Sequence, residues 1–257
     1  MTGSILPTTV DDSVVPGLTV WDNGFALGQA ELCYSRLGTC TGQGQALTQS
    51  GSGSGDGKIR LGSVMEFDDL RIGVTNFQVT FGDSVDFNGT IYIASGGANF
   101  FPNSSVFNAT ITDRPGAEPS DLPGFPNTEA VRVGLEFESG RVKSFRFNAD
   151  TFSVKLGSLL TLSGQDFYLN TDAGDDEEVV SFGSIAAQVK IGSMLLTGEG
   201  RNFAFEGDGD FVTKPGFGVF LEVGSATGGS FKWPKWMPIK ISEIGIEWAN
   251  IQAKPEE

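Results

Sequence analysis

Val154-Lys155-Leu156-Gly157-Ser158 and Val189-Lys190-Ile191-Gly192-Ser193 share one pattern: apolar, any residue, apolar, then Gly and Ser. The pattern returns as Ile59-Arg60-Leu61-Gly62-Ser63, Val79-Thr80-Phe81-Gly82-Asp83, Val180-Ser181-Phe182-Gly183-Ser184 and Leu221-Glu222-Val223-Gly224-Ser225. Alternation at period two describes a strand with one face buried, and Gly-Ser or Gly-Asp is where such a strand can turn. The copies around Gly157 and Gly192 also align in their flanks. Each is followed by a further glycine, Gly164 or Gly198, and then an aromatic strand, Phe167-Tyr168-Leu169 or Phe203-Ala204-Phe205. That is a duplicated strand-turn element. Spacing elsewhere is uneven, so the expected fold is all-β: a β-sandwich or an elongated antiparallel sheet stack with many short strands. An irregular β-solenoid is the alternative.

Composition agrees. Gly at 36 residues and Phe at 21 supply turns and strands, and no window sustains a helical period. Seventeen Lys and Arg against thirty-two Asp and Glu give a formal charge of −15, which speaks against nucleic acid and anionic lipid as partners. No apolar run approaches the roughly 20 residues of a membrane-spanning helix, so no transmembrane segment of that kind is expected. Membrane β-barrels also alternate, but Gly-rich, unevenly spaced strands without an aromatic girdle at every strand end speak against one. The chain has no His. It therefore lacks the usual general base of Ser and Cys hydrolases and the commonest transition-metal ligand, and it carries no recognisable catalytic motif. The expectation is a protein that is not an enzyme.

Three stretches organise the chain. Residues 1–57 hold the hairpin candidate Cys33-Tyr34-Ser35-Arg36-Leu37-Gly38-Thr39-Cys40 and a Gly/Ser-rich loop ending at Gly57. The Cys33–Cys40 spacing suits a disulfide, and a disulfide points to an oxidising, extracellular setting. Residues 58–127 read as a first β-unit, with Asn88-Gly89 as a hairpin turn and a Pro-rich loop, Arg114 to Asn127, at its end. Residues 128–257 read as a second β-unit that contains the duplicated element and a Trp/Pro-rich end. Met1 to Pro16 shows no basic stretch leading into an apolar core, and Lys254-Pro255-Glu256-Glu257 ends abruptly. Either a leader has been removed or, the favoured expectation, the chain is a piece of a longer protein.

Two constellations stand out as candidate sites. Asp172, Asp175, Asp176 and Glu177 crowd one loop, and Asp208 and Asp210 flank a glycine in another. Hard carboxylate oxygens at that density suit calcium, although the spacing matches no EF-hand and a solvated charged turn is the simpler reading. Trp233 and Trp236 sit among prolines, where they could stack on a sugar ring or pack against a neighbouring module. No required cofactor is indicated beyond that calcium reading.

The succession of these Gly-Ser strands and acidic turns over residues 131–251 resembles the β-rich repeat modules of very large bacterial cell-surface or secreted proteins. The resemblance implies a structural or interaction module of a surface layer, fibre or adhesin, extracellular or on the cell surface. Its partners would be other copies of itself, neighbouring modules or glycans. The other two readings are a carbohydrate-binding or calcium-dependent adhesive domain and, last, a polysaccharide-active enzyme.

Overall fold

The alternating stretches fold as strands, and the strands join into one sheet. The computed structural model describes residues 2–6, 8–10, 13–15, 17–35, 58–112, 130–226, 232–233, 235 and 241–248. β1 (Thr2–Leu6), β4 (Leu18–Trp21) and β5 (Gly24–Ser35) come first, while β2 (Thr8–Val10) and β3 (Ser13–Val15) pair separately. Next come β6 (Ile59–Leu61), β7 (Met65–Phe67), β8 (Asp69–Phe81), β9 (Val85–Ser95), β10 (Gly97–Phe100) and β11 (Phe107–Thr112). The remainder are β12 (Val131–Glu138), β13 (Arg141–Leu156), β14 (Leu160–Asn170), β15 (Glu178–Ile191), β16 (Met194–Glu206), β17 (Phe211–Ser225) and β18 (Glu243–Trp248). There is no helix among the described residues.

Among the described residues, sixteen strands form a single antiparallel sheet whose main path is β1-β5-β8-β9-β12-β13-β14-β15-β16-β17-β18. The chain is all-β, as its alternation predicts. Strands from all three stretches of sequence share this sheet. It is open, because β1 and β18 lie at opposite ends of the path and do not pair.

The sheet forks at β13. The first half of that strand, Arg141 to Ala149, pairs with β12, and the second half, Thr151 to Leu156, pairs with β11. β9 passes into β10 through Ser95-Gly96-Gly97, so one branch continues through β9 and the other through β10 and β7. Ile59, Phe67, Ala98, Ile111, Val131 and Ala149 form a buried apolar cluster drawn from both branches. Burying side chains of the size of Ile or Phe contributes about 1.5–3 kcal/mol each. This cluster holds the two branches together.

Gly157 and Gly192 make the turns that the repeated pattern predicts, with φ of 60° and 61°. Gly62 does the same after β6, with φ of 64°, and Gly82 opens the bend between β8 and β9. Gly183 lies inside β15 and Asn88-Gly89 inside β9, so those strands run past these points, whereas Gly224-Ser225 closes β17. β13, β15 and β17 reach 16, 14 and 15 residues. In several strands the side-chain alternation slips by one position instead of the chain turning; at Asp166 the pairing with both neighbouring strands keeps its register. Asn76, Asp166 and Asn202, inside β8, β14 and β16, adopt left-handed φ of 51°, 51° and 55°. Asn and Asp tolerate that conformation better than other side chains.

Each slip places two successive side chains on one face. Phe147 and Phe152 are five residues apart, which strict alternation would put on opposite faces. Both nevertheless pack on Phe167, at centroid distances of 5.6 and 6.1 Å. Gly164, three residues before Phe167, faces the Phe152 ring as well. The apolar residues on either side of the slip therefore stay together.

Candidate functional site

Register across the strands sorts the side chains by face. Ile111, Phe152, Gly164, Ile185, Gly200, Val219 and Ile246 lie in one row, and Ala109, Val154, Leu162, Ala187, Gly198, Leu221 and Ile244 in the next. On the other side of the slip, the row is Leu32, Ile72, Ile93, Val133, Phe147, Leu169, Val180, Phe205 and Phe211. None of these residues is charged. A ladder of rings, Phe147, Phe167, Phe182, Phe203, Phe211, Phe217 and Trp248, crosses the same face with successive centroids 5.2–5.8 Å apart. Such pairs add about 0.5–1.5 kcal/mol each beyond area burial.

The opposite face is polar. One row reads Cys33, Arg71, Ala94, Arg132, Asn148, Tyr168, Ser181 and Ala204, and another reads Thr151, Gln165, Ser184, Arg201, Gly218 and Glu247. The first of these rows is enclosed. Arg71 is 1% exposed and Arg132 2%, whereas Val219, Leu221 and Ile246 on the apolar face are 53%, 49% and 60% exposed. An ordinary water-soluble sheet hides its apolar face and hydrates its polar one. Much of this sheet does the reverse.

Ion pairs and hydrogen bonds make the enclosed polar face tenable. Arg71 pairs with Glu31 at 3.3 Å and Asp69 at 3.6 Å, and the Tyr92 hydroxyl donates to Glu31 at 2.8 Å. Burial, with the Glu31 carboxylate beside it, pushes the Tyr92 phenol well above its ordinary range. Arg132 donates through Nε and Nη2 to Asn148 Oδ1 at 3.0 and 2.6 Å, and Nη2 also reaches Asp150 at 2.8 Å. Burial alone would raise the Glu136 carboxyl. Hydrogen bonds from Lys143 and Ser144 and the charge of Arg146 outweigh burial, and the net shift is downward.

At the fork the apolar face carries a half-open pocket of about 300 Å³. Its lining includes Phe100, Ile111, Phe147, Phe152, Phe167 and Phe182. Phenyl rings dominate the walls, so this space suits hydrocarbon rather than a polar substrate.

The acidic residues singled out in the sequence do meet. Gly207 N donates to Glu177 O at 3.0 Å and Asp208 N to Asp175 O at 3.3 Å, which sets the β14–β15 and β16–β17 turns side by side. Asp172, Asp175, Asp176, Glu177, Asp208 and Asp210 belong to this acidic rim. Yet no group of three or more carboxylates converges in a metal-holding arrangement among the described residues. Loss of hydration and repulsion from Asp208, Asp176, Asp210 and Glu178 raise the Glu206 carboxyl. Trp233 is half-buried, and Trp236 lies outside the described residues. Cys33 is buried and disulfide-bonded, and Cys40, the chain's other cysteine, also lies outside them.

Sequence reasoning did not single out Arg71, Arg132, Glu31 or Tyr92. The available signal was a charge between two apolar neighbours, as in Leu70-Arg71-Ile72 and Val131-Arg132-Val133. Such triplets read equally well as a strand with a solvated polar face. Comparison with protein-family models, with curated proteins and with solved structures returned no match.

Proposed function

We propose that this chain is a structural and interaction module of a bacterial cell-surface or secreted assembly, working through the apolar face of its sheet. One observation carries the reading: among the described residues that face continues across the strands without a charged residue, and much of it lies exposed. Large exposed apolar patches on a folded chain mark interaction surfaces. The disulfide at Cys33 supports an oxidising compartment. The resemblance of residues 131–251 to bacterial surface modules supports the same setting.

Light scattering on size-exclusion eluates tests the reading. Leu221 and Glu222 are adjacent in β17 and belong to rows on opposite faces. The parent chain is expected to associate, with itself or with an added apolar phase. Leu221→Lys should abolish association and Glu222→Lys should leave it intact. A parent chain that stays monomeric and binds no apolar phase would overturn the proposal.

A further inference from the structure

We infer that the apolar face is covered by the hydrocarbon of a lipid bilayer, with the polar face turned to an enclosed aqueous side; this inference rests on the interaction-module reading above. Three observations favour lipid over a second protein layer.

The first is the inversion itself. Two protein sheets stacked through their apolar faces would leave the polar faces hydrated. Here Arg71 and Arg132 are almost wholly enclosed, while Val219, Leu221 and Ile246 are outward. Polar-in and apolar-out along each strand is the arrangement of sheets that cross membranes.

The second is the height of the apolar band. In β15, side chains on the apolar face extend from Val180 to Ile191. At about 3.3 Å per residue that is about 36 Å along the strand. With the tilt of about 40° that membrane sheets adopt, it becomes about 28 Å. This falls between the apolar band of membrane barrels, about 25 Å, and the hydrocarbon core, about 30 Å.

The third is where the charges stop. The turn at one end of β15 carries Asp172, Asp175, Asp176 and Glu177, and the turn at the other is Gly192-Ser193. Charged or polar turns bound the band, and none of the face residues between them is charged. The slips matter here too, because without them half of each slipped strand would turn its polar residues toward lipid. A backbone edge left unpaired in hydrocarbon is strongly disfavoured. The inserted form therefore has the sheet closed edge to edge, with β18 and the opposite edge paired. The acidity of the chain selects a zwitterionic rather than an anionic lipid surface.

The test is refolding of the full chain with vesicles of phosphatidylcholine, followed by flotation and a wash in alkaline carbonate. The parent chain should float and survive the wash. Leu221→Lys and Val219→Lys should each lower the floated fraction tenfold or more, and Glu222→Lys should leave it within twofold of the parent. Sensitivity to carbonate, or equal loss in all three variants, would overturn the lipid assignment. Failure to float with lysine-sensitive oligomers in vesicle-free buffer would also overturn it, while leaving the interaction-module reading standing. A monomer that neither floats nor associates would remove both.

Discussion

Phe152 meets Phe167 nearly edge-on, with ring centroids 6.1 Å apart and ring planes at 74°. The contact exists because position 164 has no side chain. A Cβ there would sit 2.5 Å from the Phe152 ring and 2.5 Å from the Ser184 carbonyl oxygen. Gly198, its counterpart in the duplicated element, has nothing within 4 Å of the same point.

Gly164→Ala should therefore cost about 1–3 kcal/mol, the usual range for forcing atoms into a filled site. Gly198→Ala should fall within about 0.5 kcal/mol of the parent. Urea titration of the two variants checks the difference. Equal costs would mean that the Phe152–Phe167 contact does not constrain position 164.

Arg71, Glu31 and Tyr92 form one enclosed polar unit. Replacing Arg71 by Met leaves Glu31 and Asp69 without their cation and should cost about 3–5 kcal/mol. Tyr92→Phe removes one hydrogen bond to a carboxylate and should cost about 1–3 kcal/mol. In the double variant Arg71→Met with Glu31→Gln, part of the first cost should return. Strict additivity in that cycle would show that the two groups are not coupled.

Two carboxylates should respond oppositely to acid. The folded Glu136 lies below its ordinary pKa, so its contribution is present above the ordinary value and lost as the pH falls through the folded one. Glu136→Gln should be less stable than the parent at neutral pH, with the gap closing in acid. The folded Glu206 lies above its ordinary value, so its charge opposes folding at neutral pH and protonation relieves that. Glu206→Gln should raise the thermal midpoint at neutral pH and have no effect once the carboxyl is protonated. Thermal melts across the acid range read both.

Reduction should weaken the chain. In the chain-entropy account, closing an eight-residue loop between Cys33 and Cys40 is worth about 2.5 kcal/mol. Dithiothreitol should lower the denaturation midpoint of the parent and leave a variant with both cysteines replaced by Ser unchanged. A parent midpoint indifferent to reductant would remove the role of Cys33 in stability.

The all-β fold was legible because alternation survives in short windows, and the Gly157 and Gly192 turns because Gly-Ser follows such a window directly. Gly183 and Asn88-Gly89 misled for a physical reason. A one-residue slip and a hairpin turn both call for left-handed backbone or missing side chains, so they use the same residues. The fork at β13 was invisible, since it depends on pairing between strands far apart in sequence. Nor could the inversion be seen. Alternation shows that a strand has two unlike faces, but not which one is turned inward. The acidic turns were legible as a cluster, whereas the absence of a converging ligand set among the described residues depends on how the folded turns aim their carboxylates.

The slip at Asp166 also bears on which length changes the chain can inherit. Deleting one residue beside it would restore strict alternation in β14 and transfer Leu160 and Leu162 to the face of Arg132. Deleting one residue from the neighbouring 171–177 turn would merely shorten a connection. Descendants of this gene should therefore vary freely in turn length while holding the residue count of each long strand fixed on both sides of its slip.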